Sequence, residues 1–82
     1  VLHTPGHTGG SVCFLVNDGA DILTGDTLFD GSYGRCDLWG GDAAALHRSL
    51  VRLSNENPAA RIHPGHGEDA GLGDALEMIG II

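Results

Sequence analysis

Residues 4–11 of the chain read TPGHTGGS, a stretch in which one histidine, His7, stands among Pro, Thr and three Gly residues. Pro and Gly interrupt regular structure, so the stretch is predicted to be a loop whose side chains can point into a cleft. Two later stretches have the same character: ILTGDTLF at 22–29 contains Asp26, and PGHG at 64–67 contains His66. Each one sets a potential metal ligand beside glycine.

Two imidazoles and one carboxylate are donors that suit zinc or iron. Glycine beside each donor would let backbone and substrate approach closely, and neighbouring Thr hydroxyls could hydrogen bond to the ligands. Taken singly, a His or an Asp in a Gly-rich turn is more often an ordinary polar loop residue. Their joint order along the chain favours one shared site formed by His7, Asp26 and His66.

The segments between these loops have the pattern of short strands. VCFLV at 12–16 and IL at 22–23 are typical of strands, and the polar residues 17–20 have the composition of a hairpin turn, so the two strands are predicted to be antiparallel. Because residues 12–16 are apolar without alternation, we expect that strand to be buried on both faces. Residues 25–42 have the composition of a long loop.

The second half of the chain has the pattern of helices. Asp42 is a good N-cap for an amphipathic helix over residues 43–53, in which three Leu recur at helical spacing. Pro58 is predicted to close this helix. Residues 61–63 are predicted to form a short strand, and residues 72–79 a last helix.

Length, charge and cysteine content limit the possible functions. A chain of 82 residues is at most one domain. Its net charge of −7, with only four Lys and Arg, argues against a nucleic-acid partner and against an anionic membrane surface. No apolar run approaches the ~18 residues that span a bilayer, and no signal peptide is evident, so we expect a soluble, cytoplasmic protein. The chain begins at Val1 without an initiator Met, so we expect it to be processed or part of something longer.

In this order, the three loop stretches resemble the third, fourth and fifth metal-ligand motifs of the metallo-β-lactamase superfamily. The resemblance implies an α/β fold: the C-terminal half of an αββα sandwich, with short antiparallel strands and two helices, so that residues 1–82 form a partial domain. It implies that His7 is a ligand of the first metal and His66 a ligand of the second. Asp26 would bridge both metals and is the predicted catalytic residue.

The superfamily's first motif, His-x-His-x-Asp-His, does not occur in this sequence. In the family it lies upstream and supplies the remaining ligands, so two protein ligands per metal remain here, against about three at a catalytic zinc. The implied cofactor is zinc at two sites in a full-length parent, with iron or manganese as alternatives. Two cations bridged by Asp26 would lower the pKa of a water and polarise the carbonyl under attack. We expect the isolated chain to bind metal weakly and to be inactive.

The stretch GRCDLWGGD at 34–42 resembles the glyoxalase II-like hydrolases, which commonly have Gly-Arg-Thr-Asp here and then a Gly-Gly-Asp that opens the next helix. Cys36 in place of Thr and Trp39 in place of a common Pro are departures that affect substrate preference. Arg35 and Asp37 are substrate-binding candidates by this resemblance, or they pair only with each other and brace the loop. The implied substrate is a small-molecule thioester such as an S-acylglutathione.

Two other functions stay open. A persulfide dioxygenase shares the fold and a similar Arg-x-Asp loop but uses a single iron held by two His and one Asp; the retained His66 favours the hydrolase because it suggests a second metal. A non-catalytic fragment or interaction module is the other alternative. Half of a sandwich would expose an apolar sheet face, through which the chain would form a homodimer or bind the missing N-terminal half.

The remaining histidines and cysteines match no ligand position of the superfamily. His3 and His63 are polar loop or strand residues that could also contact ligands or substrate, and His47 is expected on a helix face. Metal-assisted hydrolysis needs no thiol nucleophile, so Cys13 and Cys36 are expected to take no part in it. Both are expected to be reduced.

Overall fold

The computed structural model describes residues 1–37 and 40–82 of the chain, and the departure noted at Trp39 lies outside them. The described elements are β1 (Leu2–His3), β2 (Val12–Val16), β3 (Asp21–Gly25), β4 (Leu28–Phe29), β5 (Ser32–Tyr33), α1 (Ala43–Leu53), β6 (Arg61–Pro64), β7 (Ala70–Gly71) and α2 (Leu72–Met78). This mixed α/β arrangement with two helices confirms the predicted fold class. In the described part of the chain, neither helix is long and apolar enough to cross a bilayer.

Strands β1, β2, β3, β6 and β7 form one sheet in that order. β2 and β3 are antiparallel and joined by a 3-10 turn at Asn17–Gly19, which confirms the predicted hairpin. β3 and β6 are parallel, so the expectation of antiparallel strands does not extend to this pair. The reason is the connection between them, which contains α1 and is long enough for the crossover that parallel strands need.

The parallel pairing places two of the predicted ligand loops at the same edge of the sheet. Ile22 is in register with Ile62, and Gly25 with Pro64, so β3 and β6 end side by side. The residues that follow each strand therefore emerge next to one another.

The core lies on one face of the sheet only. Its buried side chains come from the strands, from both helices and from the segments next to them: Cys13, Ile22, Leu28, Leu46, Leu50, Leu53, Ala60, Ile62, Leu72, Ala75 and Leu76. On the opposite face Phe14, Val16 and Leu23 are 44%, 38% and 43% exposed. The prediction that β2 is buried on both faces is therefore wrong for the described residues, because both helices contribute to a core on the same side.

Helix α1 begins where the sequence predicts. The Asp42 side chain accepts a hydrogen bond from Ala45 N–H at 3.0 Å and so caps the helix. The helix ends at Leu53, as the predicted bounds have it, and the chain turns from Ser54 onward, ahead of Pro58. The predicted terminal helix is confirmed as α2.

The segment predicted to be a long loop contains the β4–β5 hairpin. Leu28 in β4 is fully buried in the core and pins this segment against the sheet. Leu28 pairs with Tyr33, and Phe29 with Ser32. Strands of two residues are too short to show an alternation of apolar and polar residues. The hydrophobic pattern of the sequence therefore predicted no strand in this segment.

Candidate metal centre

The carboxylate of Asp26 lies between the two histidines predicted as ligands. His7 Nε2 is 3.6 Å from Asp26 Oδ2, and His66 Nδ1 is 3.1 Å from Asp26 Oδ1. The exposed fraction of the side chain is 25% for His7, 41% for Asp26 and 82% for His66. The three residues are thus neighbours at a solvent-accessible edge of the sheet, while their roles as metal ligands stay predictions.

Asp26 and His66 are neighbours because their strands end together. Asp26 directly follows β3, and His66 is the second residue after β6. Gly65 N–H donates to Gly25 C=O at 2.8 Å, which extends the contact between the two strands past their ends. This backbone bond holds the start of the His66 loop against the turn that presents Asp26.

His7 is held from the other side by its own loop and by the segment that enters α1. Thr4 N–H donates to Ser11 C=O at 2.9 Å and closes the loop, and Asp42 N–H donates to Gly6 C=O at 2.7 Å. Gly6 has φ +144°, and a Cβ there would overlap the backbone of Leu46. This glycine is therefore needed for the close approach of α1, not for the approach of a metal.

The hydrogen bonding of His7 fits a metal ligand. His7 Nδ1 is 2.7 Å from Arg35 C=O, and a carbonyl only accepts, so Nδ1 carries a hydrogen. In the neutral ring Nε2 then has a lone pair, and it faces the carboxylate of Asp26 at 3.6 Å. Two acceptors facing each other need a proton or a cation between them, and a divalent metal ion meets this need.

Each oxygen of the Asp26 carboxylate faces a different imidazole, so one carboxylate oxygen and one ring nitrogen lie together at each of two positions. Across residues 1–37 and 40–82, no group of three or more His, Cys, Asp and Glu side chains is arranged to hold one metal ion. The expectation of two protein ligands per metal stays a prediction.

Arg35 and Asp37 form a bidentate ion pair at the surface. Arg35 Nε is 2.9 Å from Asp37 Oδ1, and its second guanidinium nitrogen is 3.1 Å from Oδ2. This hydrogen bonding lowers the pKa of the Asp37 carboxyl and raises the pKa of Arg35. The two side chains pair with each other, as in the alternative that they brace the loop. The backbone carbonyl of Arg35 points at His7. Contact of either side chain with substrate stays a prediction.

The two cysteines lie in different environments, and both are free thiols. Cys13 is fully buried in β2, and burial raises the pKa of its thiol. Cys36 is half-buried beside a cavity of about 250 Å³ next to α1, whose lining is Tyr33, Cys36, Ala43, Leu46, His47, Leu50, Ile79 and Ile81. Neither thiol is among the groups that contact Asp26 in the described residues.

The threonines beside the ligands stabilise the loops instead of contacting the ligands. Thr4 Oγ1 and Thr27 Oγ1 are 3.3 Å apart in the interior, and Thr24 Oγ1 donates to Leu28 C=O at 2.8 Å. Thr8 Oγ1 lies 2.8 Å from the hydroxyl of Ser11 in the first loop. The expectation that these hydroxyls hydrogen bond to His7, Asp26 or His66 is therefore wrong in the described structure.

The remaining histidines lie outside the contacts of Asp26. His3 Nε2 is 2.8 Å from Gly9 C=O and braces the first loop, and His47 is exposed on α1 as predicted. His63 is the residue whose surroundings the sequence did not reveal: its two ring nitrogens lie 2.8 Å from Asp21 Oδ1 and 2.9 Å from Asp69 Oδ2. Asp69 is six residues from His63 along the chain, whereas Asp21 is 42 residues away, so the contact with Asp21 depends on the pairing of β3 with β6.

Comparison with known proteins agrees with this fold. The chain belongs to the metallo-β-lactamase superfamily, whose family model, described as "Metallo-beta-lactamase superfamily", matches residues 1–66. The family includes metal-dependent hydrolases among the relatives of this chain, which supports the coarse assignment to metal-binding hydrolases.

Three relatives define the range of similarity. An uncharacterized protein of Mycobacterium leprae is 49% identical over 75 residues, covering 89% of this chain and 34% of that protein. A probable metallo-hydrolase of Methanocaldococcus jannaschii is 39% identical, covering 93% and 36%. A probable polyketide biosynthesis zinc-dependent hydrolase of Bacillus subtilis is 36% identical, covering 93% and 33%. The chain thus spans about a third of the length of the curated relatives it matches.

Two solved structures superpose closely on the chain. TTHA1623 in a di-iron-bound form is 52% identical with a TM-score of 0.84, covering 90% of this chain and 37% of that one. ETHE1 from Myxococcus xanthus is 29% identical with a TM-score of 0.85, covering 96% and 36%. Similar proteins have thus been described with zinc and with iron, and the metal of this chain is not fixed by the comparison.

Proposed function

We propose that this chain contributes His7, Asp26 and His66 to the two-metal centre of a hydrolase acting on a small-molecule thioester such as an S-acylglutathione. The observation that carries the proposal is the position of Asp26, whose two carboxylate oxygens each face a different imidazole at 3.6 and 3.1 Å. With a ring nitrogen beside each of its oxygens, Asp26 would be placed to hold two cations, which would supply metal-assisted hydrolysis.

At this centre two divalent cations would supply activation of a water molecule and polarisation of the carbonyl. The residues of the chain hold the donors in place. The Arg35 carbonyl fixes the ring of His7 so that Nε2 is directed at Asp26. The rings of Phe29 and His66 are nearly perpendicular, with their centroids 6.3 Å apart. The exposed side of His66 leaves room for substrate.

The finer parts of the proposal have separate support. Zinc is favoured by the similarity to the Bacillus subtilis zinc-dependent hydrolase, with iron or manganese as the alternatives. The thioester substrate is supported by the likeness of GRCDLWGGD at 34–42 to the glyoxalase II-like pattern. An acidic chain with net charge −7 suits a small-molecule substrate in the cytoplasm better than a nucleic acid or an anionic membrane.

A second candidate is a persulfide dioxygenase with a single iron. The likeness to ETHE1 supports this candidate, whereas the likeness to TTHA1623 supports only the choice of iron, because that structure holds two irons. The two candidates differ in metal stoichiometry, since the dioxygenase uses one iron where the hydrolase uses two metals. A third candidate, a non-catalytic module that self-associates or binds an N-terminal half, is supported by the exposed side chains of Phe14, Val16 and Leu23.

The test combines metal counting with a thioesterase assay. The chain is loaded with zinc, alone and mixed with a family polypeptide that carries His-x-His-x-Asp-His, and hydrolysis of an S-acylglutathione is followed. We expect two metals per chain and activity in the mixture. Asp26→Asn should lower activity by more than ~100-fold, since loss even of an outer hydrogen bond to a ligand costs ~10–100-fold.

Asp30→Asn is the matched control, because Asp30 is exposed and only four residues away, and it should retain full activity. The loading is repeated with ferrous iron, and stable binding of one iron, with no hydrolysis by either metal form, would favour the dioxygenase. Absence of metal from both the chain and the mixture would rule out the two enzyme candidates.

A further inference from the structure

His63 joins three parts of the structure through its ring. Nε2 lies 2.8 Å from Asp21 Oδ1 at the start of β3, and Nδ1 lies 2.9 Å from Asp69 Oδ2 just before β7. Asp21 is itself held by the Asn17 side chain, which donates to Oδ2 at 2.9 Å. The His63 side chain is 31% exposed, against 28% for Asp21 and 47% for Asp69. The cluster is therefore only partly screened by water.

The two contacts require a charged ring. A neutral imidazole has one N–H donor and one acceptor nitrogen, and an ionised carboxylate only accepts. One of the two contacts would therefore set two acceptors against each other at less than 3 Å if His63 were neutral. The imidazolium satisfies both, so the cluster is held together when His63 carries a proton.

The cluster closes the loop that contains His66. β6 ends at Pro64 and β7 begins at Ala70, so His63 and Asp69 stand at the two ends of the connection between them. The backbone bond from Gly65 to Gly25 holds the beginning of this connection, and Gly67 with φ +82° turns it back. The hydrogen bond between His63 Nδ1 and Asp69 Oδ2 holds the end of the connection.

We propose that His63 is a positioning residue: its imidazolium, held by Asp21 and Asp69, fixes the 64–69 connection so that His66 stays beside Asp26. The inference rests on the proposed function, because a metal ligand at His66 is the reason why its position would have to be fixed. One part of the inference does not depend on metal binding: the ordered 64–69 connection keeps His66 Nδ1 at 3.1 Å from Asp26 Oδ1.

The pH dependence has a definite sign. Hydrogen bonds to Asp21 and to Asp69 raise the pKa of His63, and hydrogen bonds from Asn17 and His63 lower the pKa of Asp21. The charged groups facing His63 are Asp21 from β3 and Asp69 from the end of the connection, while Arg61 on β6 acts on Asp21. The positioning should be complete below the ordinary histidine value of about 6.5 and lost as pH rises through the raised pKa of the folded protein.

The experiment measures His63 and the 64–69 connection by NMR across a pH series. In the wild-type chain, the ring nitrogens of His63 should titrate above about 6.5, and backbone order parameters of residues 65–68 should fall from near 0.85 toward 0.6 as the ring loses its proton. In His63→Gln the order parameters should be low at every pH. His47→Gln, which changes an exposed histidine on α1, should behave like wild type.

Zinc titration at neutral pH supplies the second readout. His63→Gln should bind Zn²⁺ about tenfold more weakly than wild type, the low end of the loss seen when an outer partner of a ligand is removed. If wild type alone binds no Zn²⁺, the titration is repeated in the mixture with the polypeptide that carries His-x-His-x-Asp-His. Absence of metal there as well contradicts the proposed function, while the NMR series still tests the positioning. Should His63→Gln fail to fold, Asp69→Asn and the wild-type pH series give the same test.

A His63 that titrates at or below the ordinary value would overturn the proposal. So would equal order parameters for residues 65–68 in wild type and His63→Gln. A change in unfolding free energy alone, without change in order parameters or in zinc affinity, would show that the cluster only stabilises the sheet, and it would likewise overturn the positioning role.

Discussion

Gly34 lies where the segment after β5 passes over the candidate centre. Its N–H donates to Thr27 C=O at 3.2 Å. A Cβ on Gly34 would overlap the backbone oxygen of Asp26 and come within 3.2 Å of His7 Cβ. The absence of a side chain here lets the Arg35 carbonyl reach His7, so a single small residue affects the orientation of a predicted ligand that is distant in sequence.

Replacing Gly34 with Ala should therefore disturb both stability and the candidate centre. The added methyl group has no space beside the backbone of Asp26, so we expect a loss of about 1–3 kcal/mol in the free energy of unfolding, as for an overpacked interior. Gly9→Ala is the control, because a Cβ at Gly9 meets nothing within 4 Å. It should change stability by less than about 0.5 kcal/mol. Urea unfolding followed by circular dichroism measures both, and equal stability of the two variants would contradict the close approach.

At the scale of elements, the chain shows which patterns predict structure and which do not. α1 could be placed from sequence because its cap and its three leucines are local signals, whereas α2 begins without a side-chain cap. The β4–β5 hairpin was missed because its two-residue strands leave no periodicity, and the parallel pairing of β3 with β6 depends on a crossover that no local pattern encodes. The neighbouring positions of His7, Asp26 and His66 came from the family resemblance. The contact of His63 with two aspartates needed coordinates.

The cap of α1 offers a test at this scale. Asp42 Oδ1 accepts from Ala45 N–H at 3.0 Å, and the Asp42 N–H also binds the loop that contains His7. Asp42→Ala removes only the side-chain bond, and it should cost about 1 kcal/mol of unfolding free energy. Asp42→Asn keeps an oxygen that can cap the helix, so it should stay within a few tenths of wild type. Thermal and urea unfolding of the two variants decide this, and an unaffected alanine variant would show that the cap adds nothing to stability.

For the whole molecule, the distribution of apolar surface is the dominant feature. Both helices contribute to the core on one face of the sheet, and across the described residues the other face leaves Phe14, Val16 and Leu23 substantially exposed. Phe14 and Leu23 are direct cross-strand partners, so their side chains form one continuous patch. An exposed apolar patch on a sheet favours association, because exposing apolar surface to water raises the free energy of the isolated chain.

We therefore expect the isolated chain to self-associate through this patch. Phe14→Lys combined with Leu23→Glu replaces the apolar pair by opposite charges that face each other across β2 and β3, so the sheet is kept while the driving force for association is removed. Light scattering coupled to size-exclusion chromatography should show a dimer or larger species for wild type and a monomer for the double variant. Met78→Lys is the control, because Met78 is 65% exposed on α2, and it should leave the association unchanged. A wild-type chain that stays monomeric as its concentration rises would show that this sheet face is stable in contact with water. That result would contradict the proposal of a self-associating module.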